Sequence, residues 1–224
     1  LPMAFCDAFS ADLGTPVDKK ILAAVGLACV VVATHDDVVD ETPPDQKILA
    51  GLVYGGDITN LYALKTLSDS GNHAVVDTLI DTLNQNHYLQ RLVTDKLWGT
   101  ESVSNKQYFD AVKHWCAFCS IGPLCGLALA DKMNLKNRVL RFSTGYGITF
   151  QLLDDLREVD EDKERGYRSI PSQEGYPYAE TFRQMRTHIN LARDATRPSW
   201  LRVNKLLDNM EKVVEELEDG IRRT

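Results

Sequence analysis

Closely spaced acids occur twice in the chain, and each set follows a long apolar stretch. The first set, His35–Glu41 (HDDVVDE), comes directly after the apolar run Ile21–Ala33. Asp36 and Asp40 are four residues apart and Asp37 and Asp40 three apart, so in a helix their carboxylates converge on one side. Crowded carboxylates repel one another unless a cation lies between them, and their hard oxygen atoms suit Mg²⁺. This first acidic segment is therefore a candidate metal-binding site.

The second acidic segment is Gln151–Asp162 (QLLDDLREVDED), and it overlaps the end of the apolar run Tyr146–Leu153. Several of its polar side chains recur at helical intervals of three or four residues. These side chains are Gln151, Asp154, Asp155, Glu158 and Asp162. One acidic helix end can be an ordinary solvated surface, but two that each follow an apolar helix favour a shared function.

Two such segments can hold divalent cations on both sides of one diphosphate, and we expect three Mg²⁺ ions per site. Metal ions neutralise a leaving diphosphate and lower the barrier to breaking an allylic C–O bond. A surrounding apolar interior keeps water away from the resulting carbocation. The acids would then ionise the substrate, and the apolar interior would guide the cation.

Helical periodicity extends over nearly the whole chain, and clusters of glycine and proline divide it into segments. The pattern predicts seven helices, at about 17–41, 45–69, 72–97, 104–131, 134–164, 177–196 and 199–222. The N-terminal LPMAFCDAF indicates the interior of a further helix whose beginning is absent. Several helices are apolar around much of their circumference, so other helices must surround them. The sequence therefore predicts an all-α fold, a large antiparallel helical bundle in a single domain over 1–224.

Composition narrows the class of protein. With 32 acidic and 25 basic residues the net charge is −7, which argues against a protein that binds nucleic acid through its phosphates. The longest apolar run is shorter than the roughly 20 residues of a membrane-spanning helix, so no transmembrane segment is predicted. Five cysteines, an odd number and mostly within apolar stretches, favour reduced thiols in a cytoplasmic protein.

At both acidic segments the sequence resembles the trans-isoprenoid diphosphate synthases, the family that makes farnesyl, geranylgeranyl and longer prenyl diphosphates. THDDVVDE is similar to the family's first aspartate-rich motif, YGGDITNLYALKTL to its Gly-Asp segment, and GYGITFQLLDDLREV to its second motif with the preceding Gln. The resemblance implies the isoprenoid (terpenoid) synthase fold and a magnesium-dependent prenyltransferase. Its substrates would be an allylic prenyl diphosphate and isopentenyl diphosphate, and the enzyme would be a homodimer.

The resemblance also assigns roles to individual residues. Magnesium ligands would come from both motifs and would be Asp36, Asp37, Asp40, Asp154, Asp155 and Glu158. The segment Arg157–Pro171 is similar to the second motif of the squalene and phytoene synthases, which join prenyl diphosphates head to head. In that alignment Glu158 and Asp162 would be ligands. Arg165 and Arg168 would then approach the diphosphate.

Two alternatives stay open beside an enzyme that adds isopentenyl diphosphate. The arginine pair that follows the family's first motif is missing between Glu41 and Gly56, where Lys47 is the only base. The missing pair favours a terpene cyclase or a head-to-head synthase that uses only allylic substrates. Elsewhere in the chain, Lys113 is a further candidate phosphate contact. A non-catalytic subunit that regulates a partner synthase is the second alternative, although it would not need both acidic segments.

The residues before the first acidic segment predict the length of the product. Val31 and Val32 lie about one turn before Asp36, and Ala28 lies about two turns before it. In the resembling family, large aromatic side chains at these levels close the pocket. Their absence implies a deep pocket and a hydrocarbon of about twenty carbons or more.

Overall fold

The computed structural model describes residues 1–40, 46–97, 103–166, 169–171 and 177–223, without the side chains of 31, 33–40, 86–97, 114–117 and 165. Its elements are α1 (Pro2–Asp12), α2 (Lys19–Asp40), α3 (Gln46–Asp69), α4 (His73–Leu97), α5 (Asn105–Trp115), α6 (Ile121–Leu129), α7 (Lys136–Arg157), α8 (Val159–Arg165), α9 (Tyr178–Asp194) and α10 (Leu201–Arg222). Two short 3₁₀ turns lie at Cys116–Ser120 and Met133–Leu135. The described residues contain no strand, so the all-α prediction is confirmed.

The prediction of one continuous helix over 104–131 is wrong, because a 3₁₀ turn separates α5 from α6. Pro123 lies in the first turn of α6. In a continuous helix its ring would clash with the carbonyl of Cys119, and it has no N–H to donate to that carbonyl. In the first turn of a new helix the missing N–H costs nothing, so the chain restarts at Ile121.

The predicted helix 134–164 is also interrupted, between α7 and α8. Glu158 leaves the helical region at φ −104° and ψ 17°. The amide of Glu158 still donates to the carbonyl of Asp154 at 3.0 Å, and the amide of Asp162 donates to the carbonyl of Glu158 at 2.8 Å. The four-residue spacing of the second acidic segment therefore survives the interruption. Gly166 ends α8 in the left-handed region at φ +75°, as glycine commonly does after a helix.

The chain divides into two compact units, and the prediction of a single domain over 1–224 stays a prediction. The first unit consists of Leu1–Asn84 and Ile121–Lys136. Within it α1 packs on α6 and α2 packs on α3. A Cβ atom on Gly122 would lie 2.1 Å from the carbonyl oxygen of Pro2, so only glycine allows α1 to lie this close to α6.

The second unit consists of Gln85–Ser120 and Asn137–Thr224, and it contains the second acidic segment. Buried apolar side chains recur along α10 at intervals of three and four residues, which is the pattern of a helix with one face in a core. They are Val203, Leu207, Met210 and Val214. Arg193 of α9 makes 2.8 Å ion pairs with Asp208 and Glu211 of α10. This packing holds α9 and α10 side by side.

Two further sequence predictions concern membranes and thiols. No single helix in the described part of the chain is long and apolar enough to cross a membrane, although by length and composition one bent pair, Asn105–Lys113 with Phe118–Leu129, would qualify. Cys6 and Cys119 are buried free thiols, and burial raises the pKa of each to about 12. Both thiols are therefore protonated at neutral pH, and their reduced state stays a prediction.

Candidate functional site

Asp155 lies at the buried end of α7 and receives two side-chain hydrogen bonds. Its side chain is 3% exposed. The hydroxyl of Tyr108, on α5, donates to Oδ2 of Asp155, and Nε2 of Gln151 donates to Oδ1 at 2.7 Å. Tyr108 is itself buried. The carboxyl group is therefore fixed from two sides by residues of the same compact unit.

Burial dominates the electrostatics of Asp155 and raises its pKa to about 8. The hydrogen bonds from Tyr108 and Gln151 lower this pKa, because they stabilise the charged form, whereas the nearby charges of Asp162 and Asp154 raise it. Asp162 is also buried, at 6% exposed. The ionised form of Asp155 is therefore disfavoured by burial and by the neighbouring acids, and a bound cation would stabilise that form.

Asp154 faces a different environment from its neighbour. It is half-buried, and burial raises its pKa while the positive charge of Arg157 lowers it. Its side chain lines an open groove of about 250 Å³ between α7 and α10. The other residues that line this α7–α10 groove are Tyr146, Phe150, Leu153, Arg157, Asn209, Met210 and Val213. Asp154 is therefore accessible from a surface that is mostly apolar.

The carboxylates of the second acidic segment fit Mg²⁺ by their chemistry. Among the described side chains, no three of His, Cys, Asp and Glu lie close enough together to hold a metal ion. Proteins usually bind Mg²⁺ through only one or two carboxylates, and waters and substrate phosphates fill the remaining positions. The buried acids Asp155 and Asp162, together with the half-buried Asp154 and Glu158, supply that kind of donor set.

Residues 35–40 of the first acidic segment form the C-terminal end of α2, as predicted, and Glu41 lies outside the described residues. The helix runs through Asp36 and Asp37 and ends at Asp40. These three side chains lie outside the described residues, as does that of Val31, so their convergence and their role as ligands stay predictions. Val32 is half-buried and Ala28 is fully buried.

Lys113, a predicted phosphate contact, lines a separate groove of about 420 Å³ between α5, α7 and α9. It lies there with Arg141 and His188, and this groove contains none of the five polar residues of the second acidic segment. A role for Lys113 stays a prediction, and this position offers it no support.

The two predicted arginines, Arg165 and Arg168, cannot be placed in the site. Arg165 is the last residue of α8, but its side chain lies outside the described residues, and Arg168 lies outside them entirely. Their predicted contact with a diphosphate stays a prediction.

Tyr108 is a functional candidate that the sequence did not reveal. It precedes Asp155 by 47 residues, so no local spacing connects the two. Its pattern in α5 indicates only a buried face, which it shares with Ala111 and Val112. A polar atom on a buried aromatic ring usually needs a hydrogen-bond partner. That requirement is the one signal that could have pointed to Tyr108.

Comparison with known proteins identifies the fold. No family model and no curated protein matches this sequence. A decaprenyl diphosphate synthase from Rhodobacter capsulatus has a similar structure, with a TM-score of 0.74 at 16% identity over 95% of this chain and 85% of that chain. A polyprenyl synthase from Roseobacter denitrificans is similar with a TM-score of 0.70 at 17% identity, over 94% and 84% of the two chains. The chain therefore has the all-helical isoprenoid synthase fold.

Proposed function

We propose that this protein is a magnesium-dependent prenyltransferase that adds isopentenyl diphosphate to an allylic prenyl diphosphate. The observation that supports it most is the second acidic segment, which fixes one carboxylate in a buried network and leaves the next on an open groove. The fold is that of a decaprenyl diphosphate synthase and a polyprenyl synthase. Residues 35–40 of the first acidic segment lie at the end of α2, and this supports the resemblance of that segment to the first motif of the trans-isoprenoid diphosphate synthases.

The proposed metal ligands come from both acidic segments. They are Asp36, Asp37, Asp40, Asp154, Asp155, Glu158 and Asp162, and they would hold three Mg²⁺ ions with the substrate diphosphate. Bound Mg²⁺ supplies charge neutralisation of the leaving diphosphate. Tyr108 and Gln151 orient the carboxyl group of Asp155, and burial of that group excludes water from its surroundings.

The direct test compares metal and diphosphate binding in the wild type and in Asp36→Ala. Magnesium with pyrophosphate should raise the melting temperature more than either alone, because ligands that bind only the folded state stabilise it by mass action. Asp36→Ala should lose this synergy and the turnover of an allylic diphosphate. Asp160→Ala removes an exposed acid of α8 and is the matched control. Lack of synergy in the wild type would favour the regulatory subunit.

A head-to-head synthase or terpene cyclase is the second candidate, because Lys47 is the only base where the resembling family has an arginine pair. Labelled isopentenyl diphosphate separates the candidates. Its carbon enters the product of an elongating enzyme. A product formed from the allylic substrate alone would favour the second candidate.

The product is proposed to have about twenty carbons or more, because the helix before the first acidic segment offers no aromatic side chain. Val32→Phe adds bulk one turn before Asp36 and should shorten the product. Chromatography of the dephosphorylated products measures the change. Products of fifteen carbons or fewer, unchanged in Val32→Phe, would rule out a tunnel along α2.

We further propose that the protein is a homodimer, on the basis of an exposed apolar stripe on α3. Tyr54, Ile58, Leu61 and Tyr62 follow helical spacing, and each is at least 66% exposed. Dimer interfaces are enriched in such aromatic and aliphatic side chains. Ile58→Glu should produce monomers in analytical ultracentrifugation, whereas Leu201→Glu, which replaces an exposed apolar side chain of α10, should not. The cytoplasmic location stays a prediction.

A further inference from the structure

The groove between α5, α7 and α9, here called the α5–α7–α9 groove, carries an excess of positive charge. Lys113 of α5 and Arg141 of α7 both line it, and both are exposed. Among the described residues, neither base forms an ion pair. The one acid in the described lining, Asp110, pairs with Lys106. Two unpaired bases therefore share one groove on a protein with a net charge of −7.

The rest of the lining is mostly apolar. Phe109, Leu140, Ile148 and Leu191 contribute to it, and Leu191 is 44% exposed. A ligand that covered Leu191 would remove apolar surface from water, which favours binding. The volume of about 420 Å³ lies within the range of about 300–1,000 Å³ that is usual for small-molecule pockets. The groove can therefore hold an organic body and not only an inorganic ion.

Close packing fixes the walls of the groove before any ligand arrives. A Cβ atom on Gly145 would lie 2.5 Å from the carbonyl oxygen of His188, so α7 and α9 approach closely where they form the groove. The ring of His188 lies 5.5 Å from that of Phe109 on α5, between centroids. Burial lowers the pKa of His188, so its ring is a neutral wall at pH 7. A preformed site of this kind spends little binding energy on ordering its own residues.

We infer that the α5–α7–α9 groove binds a small organic anion, with its acidic group at Lys113 and Arg141 and its apolar body on Phe109 and Leu191. An arginine fork binds carboxylate, sulfonate or phosphate oxygens in pairs, and lysine adds a second positive charge. A membrane surface is less suited to the groove, because polybasic membrane sites use roughly four to eight bases and a bilayer cannot enter a concave site. None of the five polar residues of the second acidic segment lines this groove, so the inference is independent of the proposed function.

Two fluorescent probes test the inference, because they differ only in charge. Anilinonaphthalene sulfonate carries one sulfonate on an aromatic body, and phenylnaphthylamine has the same rings without the sulfonate. Both are titrated in buffer with EDTA, so that no divalent cation can hold an anion at the acidic segments. The variant Lys113→Gln/Arg141→Gln should bind the sulfonate about tenfold more weakly, because charge-assisted hydrogen bonds are lost. Its binding of phenylnaphthylamine should not change.

Matched variants control for net charge and for general apolar binding. Lys136→Gln/Lys205→Gln removes two exposed positive charges outside the groove and should bind both probes like the wild type. Leu191→Ala shortens the exposed apolar wall and should weaken both probes about threefold. Leu201→Ala, at an exposed leucine of α10, should weaken neither.

Each outcome decides for or against the site. Equal binding of the sulfonate by the wild type and by Lys113→Gln/Arg141→Gln would overturn the inference. An equal loss of phenylnaphthylamine in that variant would also overturn it, because the bases would then act on the shape of the groove and not on an anion. Sedimentation with phosphatidylglycerol vesicles that depends on the two bases, with unchanged binding of the sulfonate probe, would identify a membrane surface instead. If the double variant does not fold, Arg141→Gln alone decides by the same titrations.

Discussion

Two adjacent aspartates at the C-terminal end of α7 lie in opposite environments. Asp154 lines an open groove beside α10, whereas Asp155 is buried and accepts hydrogen bonds from Tyr108 and Gln151. Successive residues of a helix point about 100° apart, so the two aspartates lie in different surroundings although they are adjacent in sequence. The difference shows that the two carboxylates are in unlike environments, one open to solvent and one held in a buried hydrogen-bond network.

Asp154→Ala tests the open face and should produce the largest effect. We expect turnover of an allylic diphosphate to fall by on the order of 10² or more, because a ligand to the transition-state charge is lost. Stability should change little, since the groove is open to solvent. Steady-state kinetics and helical circular dichroism measure the two quantities. Asp160→Ala is the control, and full activity of Asp154→Ala would contradict its role as a ligand.

Asp155→Asn tests the buried face through the pH dependence of stability. The pKa of Asp155 is raised from 3.8 to about 8 by folding, so the folded state binds its proton more tightly. The contribution of Asp155 to the free energy of unfolding is fully present below pH 3.8 and is lost as pH rises towards 8. Asparagine stays neutral and keeps the shape of the side chain. Each unit between the two pKa values is worth about 1.4 kcal/mol, so without metal the variant should gain on the order of 5 kcal/mol of unfolding free energy relative to the wild type as pH rises past about 8. The two proteins should show the same pH trend below pH 3.8.

Urea denaturation at pH 4, 6 and 9 measures this difference, and magnesium pyrophosphate supplies a second comparison. The ligands should stabilise the wild type more than Asp155→Asn, because only an ionised carboxylate gains from a nearby cation. A constant stability difference at all three pH values would mean that Asp155 is ionised in the metal-free protein.

The helices could be predicted from the sequence because their periodicity is local. Two predicted helices were wrong because a single residue breaks each of them. Pro123 cannot continue the helix predicted over 104–131, and the backbone of Glu158 departs from helical geometry within the helix predicted over 134–164. The composition of the candidate site was also visible as spaced acids. Its internal geometry was not, because the burial of Asp155 depends on Tyr108 and on packing across 47 residues of sequence.

Tyr108→Phe should have the smallest effect, and it asks whether the buried network positions Asp155 for metal binding. The variant keeps the ring, whose centroid lies 5.3 Å from that of Phe109 in an edge-to-face contact. It removes only the hydroxyl that donates to Asp155. Loss of one hydrogen bond should cost about 1 kcal/mol of stability. The remaining bond from Gln151 orients the carboxyl group less firmly, so half-activation should need about tenfold more Mg²⁺. Magnesium activation curves measure this shift, with Tyr178→Phe, an exposed tyrosine, as the control. A lower melting temperature with an unchanged magnesium requirement would show that Tyr108 only supports the fold. The function of Asp155 would then not depend on the hydrogen bond from Tyr108.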